Sequence, residues 1–253
     1  MITNSTAYPP GDDGVLLTAR VHKHLESDEG VDDICYSTSV SWDELDEVRA
    51  LHTEWFPVAY HEDFFQSIVT GTGFGGGDVV TVVATMGENP RYIVGMITIA
   101  IRRAESQYNP AADLSPYLGL PTDSTAAYIL TLGVVDELRG KGIGRRLLDL
   151  AIRKVEETDH MCRLVFLHVI EYNEAARKFY LREKFLEFKK YSEFYFFDGK
   201  VFDGMLLYKL VGNDSEVKGV WQVTRWLYKK MRELFGSIFT VKRPRKDDDS
   251  SLV

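Results

Sequence analysis

Residues 126–158 read AAYILTLGVVDELRGKGIGRRLLDLAIRKVEET. The first ten of them are almost wholly apolar, which predicts a strand that is buried on both faces. After residue 142 the apolar side chains recur at the spacing of one helical face, and they are Ile143, Leu147, Leu148, Ala151, Ile152 and Val155. The stretch therefore predicts a buried strand, a glycine turn and an amphipathic helix, a combination typical of α/β domains.

The turn RGKGIG (139–144) carries the clearest chemical signal. Alternate glycines between a strand and a helix let backbone N–H groups converge on an anion, with the helix dipole behind them. Arg139 and Lys141 add positive charge. The alternative is a tight turn that needs glycine only for its shape. The third glycine comes one residue early for a dinucleotide-binding fingerprint, so a Rossmann site is disfavoured.

Strand and helix patterns also surround this turn. The predicted elements are a strand at 34–40, helices at 41–56 and 62–71, strands at 78–86 and 92–104, the strand at 126–135, the helix at 142–158, a strand at 164–170, a helix at 173–185, and strands at 188–197 and 202–211. Ser41 is the predicted cap of the first helix, and Asp198-Gly199 is the predicted turn of the last hairpin. Residues 105–124 hold three prolines and predict a loop. The run GTGFGGGD (71–78) lacks the lysine of a P-loop and predicts a flexible turn.

The composition narrows the class of protein. The chain has 253 residues, 45% of them hydrophobic, which is enough for a sizeable core and excludes a disordered or fibrous protein. The formal net charge of -8 argues against bulk nucleic-acid binding. Only Cys35 and Cys162 are present, which excludes a disulfide framework or a thiolate zinc site and favours a reducing compartment. We expect no secretory signal and no transmembrane helix, which leaves a soluble or membrane-surface protein.

The two ends of the chain differ from the middle. Residues 1–33 are rich in Pro, Gly and acids and predict a mobile leader. Residues 216–246 carry a net charge of +7 against -15 for the remainder, and within them 217–239 predicts a Trp-rich amphipathic helix. One hypothesis is that this helix lies on an anionic cytosolic leaflet, which would make 213–253 a membrane-associating tail. The alternative is that it packs back on the domain.

The strand followed by the arginine-x-x-glycine-x-glycine turn resembles the GCN5-related N-acetyltransferase (GNAT) superfamily. Four blocks, FPVAY (56–60), AYILTLGVV (127–135), LHV (167–169) and N-x-x-A-x-x-F-Y (173–180), resemble its N-terminal acetyltransferases, the N-alpha-acetyltransferase 60 (NatF) family above all. The resemblance covers about 34–211. It implies a GNAT domain at 34–212, with a mixed sheet of about seven strands, splayed central strands and about four helices.

The resemblance also implies acetyl-CoA as the acetyl donor, with no metal. The pyrophosphate would lie on the glycine turn, and the pantetheine arm would pair with the strand before it. The cofactor-binding residues implied in this chain are Leu130, Leu132, Val134, Arg139, Gly140, Lys141, Gly142, Ile143, Gly144, Asn173 and Tyr180.

Tyr128 and His168 match the catalytic pair of the family. An α-amine must lose a proton when it attacks a thioester, and a neutral imidazole or a tyrosine holding a water can accept that proton. The alternatives are that His168 is a satisfied core histidine and that Tyr128 is a packed aromatic residue. No cysteine lies where a nucleophile is expected, so direct attack is favoured over an acyl-enzyme.

Substrate recognition in the family implies an apolar slot for a first side chain such as Met. The residues that match it are Phe56, Pro57, Val58, Tyr60, Phe194 and Tyr195. Relatives often have consecutive tyrosines where this chain reads FYFF (194–197), so backbone recognition would rest more on Tyr195. Ala59 stands where a relative carries an acid, which would weaken a preference for basic second residues.

The expected function is acetylation of the N-terminal α-amine of proteins that begin with Met followed by an apolar or polar residue. The expected location is the cytosolic face of a membrane, the Golgi by resemblance to the family. Two competing hypotheses remain at this point. One is a lysine acetyltransferase, histones included as substrates. The other is a membrane-bound adaptor that kept the fold but lost catalysis.

Overall fold

The computed structural model describes residues 34–73, 77–87, 91–103, 114–121 and 123–212. The predicted leader (1–33), the predicted membrane helix (217–239), part of the glycine-rich run at 71–78 and much of the predicted loop at 105–124 lie outside these residues. The division of the chain into leader, domain and tail stays a prediction.

Seven strands and five helices form the described part of the chain. In order they are β1 (Cys35–Ser37), α1 (Leu45–Trp55), α2 (Glu62–Thr70), β2 (Val79–Met86), β3 (Tyr92–Arg103), α3 (Leu114–Leu118), β4 (Thr125–Val134), α4 (Ile143–Thr158), β5 (Cys162–Ile170), α5 (Glu174–Arg182), β6 (Leu186–Phe197) and β7 (Lys200–Leu210). Short 3-10 turns at Trp42–Glu44 and Asp136–Leu138 precede α1 and follow β4. At the predicted cap, the Ser41 backbone N–H donates to Glu44 Oε2 at 2.9 Å.

The strands form one mixed sheet in the order β1-β2-β3-β4-β5-β7-β6. Only the central pair, β4 and β5, is parallel. This pair is joined only from Thr125 to Tyr128, and its last partners are Tyr128 and Phe166. Beyond that point β4 continues to Val134 and β5 to Ile170 without pairing to each other. The predicted mixed seven-stranded sheet with splayed central strands is confirmed.

Helices cover both faces of the sheet. Leu147 of α4 is fully buried, and its Cδ1 lies 3.1 Å from where a Cβ on Gly95 of β3 would sit, beside Val134. The Trp55 ring of α1 lies on Gly133, the neighbour of Val134 in β4. Since successive residues of a strand face opposite sides, α1 and α4 pack on opposite faces of β4.

The predicted loop at 105–124 contains a helix that the sequence pattern did not predict. α3 begins at Leu114, which is fully buried against Phe166, Leu206 and Tyr208 in a second, smaller core cluster. Pro116 is compatible with this helix because it lies in the first turn, where the backbone N–H has no intrahelical acceptor. The prolines at 105–124 predicted a loop, but they do not prevent this short helix. Burial of Leu114 stabilises it.

The hairpin of β6 and β7 turns at Asp198 and Gly199, as predicted. Both residues have positive φ, 51° and 69°, which is the backbone of a two-residue type I′ turn. No helix among the described residues is long and apolar enough to span a bilayer.

Candidate active site

The site lies where the central strands separate. Tyr128 is the last residue of β4 that pairs with β5, and His168 lies two residues beyond its partner Phe166 in β5. The Tyr128 hydroxyl is 3.2 Å from His168 Nδ1, so the structure brings the two predicted catalytic side chains into hydrogen-bond contact. Because β4 and β5 no longer pair beyond this point, both side chains lie at the start of the cleft between the separating strands.

His168 is held neutral by its surroundings. Its side chain is 8% exposed, and burial lowers its pKa from 6.5 to about 4. The ring of Phe194 stacks on the imidazole with centroids 3.9 Å apart and planes 16° apart, and Tyr191 meets it edge-on at 5.4 Å. At neutral pH the imidazole is therefore uncharged and covered on one face by an apolar ring.

Four tyrosines from four elements converge on this cleft. Tyr60 comes from the α1–α2 loop, Tyr128 from β4, Tyr180 from α5 and Tyr195 from β6. Burial raises the pKa of each phenol above its usual value, and Tyr128 raises the pKa of the other three further. The four hydroxyls are therefore close enough to interact electrostatically, and each stays protonated at neutral pH.

Tyr195 is fixed through its hydroxyl. The Tyr195 O–H donates to the backbone carbonyl of His168 at 3.0 Å. Its oxygen keeps lone pairs that can accept a hydrogen bond, so towards a ligand this hydroxyl acts as an acceptor.

The predicted substrate loop packs on a histidine that the sequence analysis missed. His52 of α1 is 1% exposed and lies within 5.4 Å of the Phe56 ring and 5.5 Å of the Tyr60 ring. Its Nδ1 lies 2.8 Å from the Val48 carbonyl, which can only accept, so Nδ1 carries the hydrogen and donates. Its Nε2 then accepts from the Thr131 hydroxyl of β4 at 3.4 Å. Pro57 is exposed and Val58 is half-buried.

Trp55 provides a second connection between the substrate loop and β4. A Cβ on Gly133 would lie 2.1 Å from Trp55 Cε3, so only glycine allows the indole to lie flush on the strand. Trp55 immediately precedes Phe56, which is the extended residue that ends α1. The position of Phe56 therefore depends on two contacts of α1 with β4, through His52 and through Trp55.

The glycine turn forms a backbone cradle at the start of α4. Gly140 and Gly142 have φ of 77° and 87°, and no atom lies within 4 Å of where their Cβ atoms would be. Gly142 is the cap of α4, whose first-turn N–H groups have no intrahelical acceptor. Such a turn can hold an anionic group such as a pyrophosphate. Lys141 is exposed beside it, and Ile143 and Gly144 begin the helix.

Arg139 is turned towards the protein. Its Nε donates to the Val134 carbonyl at 3.0 Å, and its Nη2 pairs with Asp136 Oδ1 at 2.7 Å. In this structure the guanidinium fixes the turn to the end of β4, and the backbone amides and the exposed Lys141 are the groups left for an anion.

The other predicted cofactor residues lie along the cleft. Leu130 and Leu132 are half-buried on the part of β4 that does not pair with β5, and Val134 is buried. Asn173 caps α5, and its Oδ1 accepts from the Ala176 N–H at 3.0 Å, which leaves the amide donors of its side chain unused by the cap. The open β4 edge and the glycine cradle together fit an extended ligand with an anionic end. Within the described residues, no group of three or more His, Cys, Asp or Glu side chains could hold a metal ion.

Comparisons with known proteins agree with this geometry. The family model described as Acetyltransferase (GNAT) family matches residues 45–188. N-alpha-acetyltransferase 60 of Danio rerio is 32% identical over 164 residues, which are 64% of this chain and 64% of that relative's length. Histone acetyltransferase MCC1 of Arabidopsis thaliana is 29% identical over 209 residues, 81% of each chain.

A solved structure gives the same result. The crystal structure of Arabidopsis thaliana NAA60 in complex with acetyl-CoA is 30% identical, covers 71% of this chain and 99% of its own, and superposes with a TM-score of 0.61. The splayed sheet, the glycine cradle and these similarities have one common explanation: the chain belongs to the GNAT family of acetyltransferases.

Proposed function

We propose that this protein is an N-terminal acetyltransferase that moves an acetyl group from acetyl-CoA to the α-amine of polypeptides, those beginning with Met among them. The observation that carries the proposal is the hydrogen bond between Tyr128 and a neutral, desolvated His168 at the point where β4 and β5 separate. The similarity to N-alpha-acetyltransferase 60 and to NAA60 supports it.

Acetyl-CoA would be held by backbone groups. The amides of 140–144 would take its pyrophosphate, and the unpaired edge of β4 at Leu130, Leu132 and Val134 would hydrogen-bond its pantetheine arm. Asn173 and Tyr180 would border the arm from α5. When bound, acetyl-CoA supplies the acetyl group as a thioester, whose carbon–sulfur bond breaks as the new amide bond forms.

His168 would accept the proton that the attacking nitrogen loses. In the tautomer in which Nδ1 donates to the Tyr128 oxygen, Nε2 is the free acceptor. A base with a pKa of about 4 is too weak to deprotonate a free ammonium group. It can take the proton from a nitrogen that has already bonded to the acetyl carbon, because that nitrogen is a much stronger acid. The site therefore depends on amines that arrive neutral.

This dependence favours α-amines over lysine side chains. At pH 7.4, an α-amine with a pKa of about 7.9 is roughly one quarter neutral, whereas a lysine amine with a pKa of about 10.4 is roughly 0.1% neutral. A site with a weak base does not compensate for that difference. The neutral fractions alone thus favour N-termini by roughly two hundred-fold at pH 7.4, before the nucleophilicity of the two amines or any contact with the peptide is counted.

The first side chain of the peptide would lie against the aromatic cluster of Phe56 and Tyr60, with Pro57 and Val58 at its edge. Phe194 has no hydroxyl, so Tyr195 would accept the backbone hydrogen bond, since its own proton is already donated to His168. An apolar slot of aromatic rings suits an unbranched, polarizable side chain such as Met.

Lysine acetylation is the second candidate. The Arabidopsis relative named histone acetyltransferase MCC1 matches over 81% of this chain, which favours this activity as an alternative or additional one. The cofactor cradle serves both reactions equally, so only the acceptor distinguishes them.

The acceptor is tested with peptides. We expect transfer from labelled acetyl-CoA to Met-Leu and Met-Lys peptides with free α-amines, and at least roughly tenfold slower transfer at pH 7.4 to an N-terminally blocked peptide that carries one lysine. A reaction without peptide is the control. Faster transfer to the blocked peptide would make the protein a lysine acetyltransferase. Acetyl-CoA binding without any transfer would favour the adaptor.

The pH dependence tests the weak base. We expect kcat/KM for a Met-Leu peptide to rise about tenfold per pH unit below pH 7, less steeply near pH 8, and then to level off, because the α-amine is the group that titrates. His168, with its lowered pKa of about 4, contributes no change above pH 6. The measurement is initial rates from pH 6 to 9. An inflection near pH 6.5 that disappears in His168→Ala would contradict the assignment.

Removing either member of the pair is expected to slow the chemical step. His168→Ala and Tyr128→Phe should each lower kcat by roughly 10²-fold, while calorimetry shows nearly unchanged acetyl-CoA affinity. Tyr172→Phe is the matched control, because Tyr172 is 58% exposed and contacts Phe202 rather than the cleft. Wild-type kcat in both His168→Ala and Tyr128→Phe would refute the catalytic roles.

We further propose that residues 217–239 hold the enzyme on the cytosolic face of an anionic membrane. The segment carries tryptophans and basic residues at helical spacing, which supports an interfacial helix. The resemblance to N-alpha-acetyltransferase 60 suggests the Golgi as that membrane.

Membrane association is tested by flotation. The full chain should float with vesicles that contain anionic lipid and much less with neutral vesicles, whereas a chain ending at Gly212 should stay at the bottom of the gradient in both cases. Peptide acetylation by the truncated chain verifies that it is folded. Equal flotation of the two chains would remove the proposed role of 217–239.

A further inference from the structure

β6 contains an irregularity directly beside the proposed catalytic pair. Tyr191 faces Gly204 and Tyr195 faces Phe202, so three residues of β6, 192–194, oppose only Asp203 of β7. Glu193, in the middle of this bulge, has a φ of 54°, a left-handed conformation that non-glycine residues seldom adopt. Such a conformation persists only where neighbouring groups hold it.

The Asp203 carboxylate holds Glu193 in this left-handed conformation. Its Oδ1 accepts from the Glu193 backbone N–H at 2.9 Å, and its Oδ2 pairs with Lys190 Nζ, also at 2.9 Å. Lys190 pairs in turn with Glu171 Oε1 at 2.7 Å. Lys190 thus pairs with two carboxylates, and of these two only that of Asp203 also accepts a hydrogen bond from the bulge.

The bulge and the next residue of β7 form a seat for Phe194. A Cβ on Gly204 would lie 3.1 Å from Cβ, Cγ and Cδ1 of Phe194, so a side chain at 204 would press on the phenyl ring and displace it by a few tenths of an ångström. From this seat the ring stacks on His168, with 3.9 Å between centroids. Without the bulge, the Phe194 ring would no longer lie against Gly204 of β7, and it would no longer be directed at the His168 ring.

We propose that Asp203 is a positioning residue of the acetyl-transfer site, which through the Glu193 amide holds the β6 bulge that lays Phe194 flat on the imidazole of His168. The inference rests on the proposed function, because it concerns the same histidine. Phe194 would exclude water from one face of the ring and fix the plane in which its nitrogens lie. Asp203 itself does not contact the reacting atoms.

The His168 pKa reports whether the Phe194 ring covers the imidazole, because the groups around His168 are known. The polar groups against it are the Tyr128 hydroxyl from β4, Tyr191 from β6, and the Tyr195 hydroxyl, which bonds its backbone carbonyl. Arg102 of β3 acts on Tyr128. Burial accounts for the lowered pKa of His168, so uncovering the ring should raise that pKa towards 6.5.

The test uses three variants of the full chain. Asp203→Ala removes the acceptor of the Glu193 amide. Asp203→Asn keeps an acceptor oxygen but loses the charge that pairs with Lys190. Glu171→Ala is the matched control, because it removes the other partner of Lys190 and leaves the bulge intact. The measurements are the His168 pKa by NMR of histidine-labelled protein, assigned with His168→Gln, together with kcat, KM and thermal unfolding.

In Asp203→Ala we expect the His168 pKa to rise by at least one unit and kcat to fall roughly 10- to 100-fold, with acetyl-CoA affinity unchanged. Asp203→Asn should retain most of the kcat, and Glu171→Ala should match wild type. A wild-type His168 pKa in Asp203→Ala would overturn the inference. Equal losses in all three variants would also overturn it, because the ion pairs and not the bulge would then be responsible.

Two further measurements test the inference where Asp203→Ala does not fold or where wild type shows no activity. If Asp203→Ala does not fold, Phe194→Ala tests the seat from the other side, and an unchanged His168 pKa in that variant rejects the inference. The NMR titration needs no substrate. If wild type transfers no acetyl group, the proposed function fails, while the titration still decides whether Asp203 controls the surroundings of His168.

Discussion

The early end of the β4–β5 ladder is the constraint on which the site depends. After the pair Tyr128–Phe166 the two strands separate, although β4 runs on to Val134 and β5 to Ile170. Separation leaves backbone N–H and C=O groups of central strands unpaired, which is costly in a protein interior unless a ligand or water satisfies them. The cleft therefore exists because neighbouring elements hold the strands apart: α1 covers β4 through Trp55 and His52, and β7 pairs with β5 from Leu164 to Ile170.

Desolvation of this cleft sets its chemistry. Burial raises the pKa of the four phenols and lowers that of His168, so these five groups are neutral at physiological pH, and the charge that acts on Tyr128 is that of Arg102 in β3. A neutral cleft neither attracts nor stabilises an ammonium ion. Under the proposed function, such a cleft would accept amines that have already lost their proton. Charge is instead concentrated at the far end, where Lys141 and the first turn of α4 can meet a pyrophosphate.

Much of the fold could be predicted from local patterns, because the buried strands and the α4 stripe are long and strongly periodic. The family motifs also brought Tyr128, His168 and the glycine turn to attention. The hydrophobic pattern did not predict α3, because one buried side chain, Leu114, stabilises this short helix. It also missed His52, whose neighbours in sequence read as an ordinary apolar stripe, although its ring bonds Thr131 across 79 positions of the chain.

Two identical dipeptides show how far such prediction reaches. Asp198-Gly199 is the predicted hairpin turn and Asp203-Gly204 lies within a predicted strand, and the structure confirms both, but the contacts of the second pair could not be predicted. The second lies inside β7, where its aspartate bonds the bulge of β6 and its glycine makes room for Phe194. What separates the two roles is the partner strand, which no local pattern contains. A phenylalanine at 194 fits this second role well, because a phenyl ring has no polar atom to solvate and can lie against a neutral imidazole without admitting water.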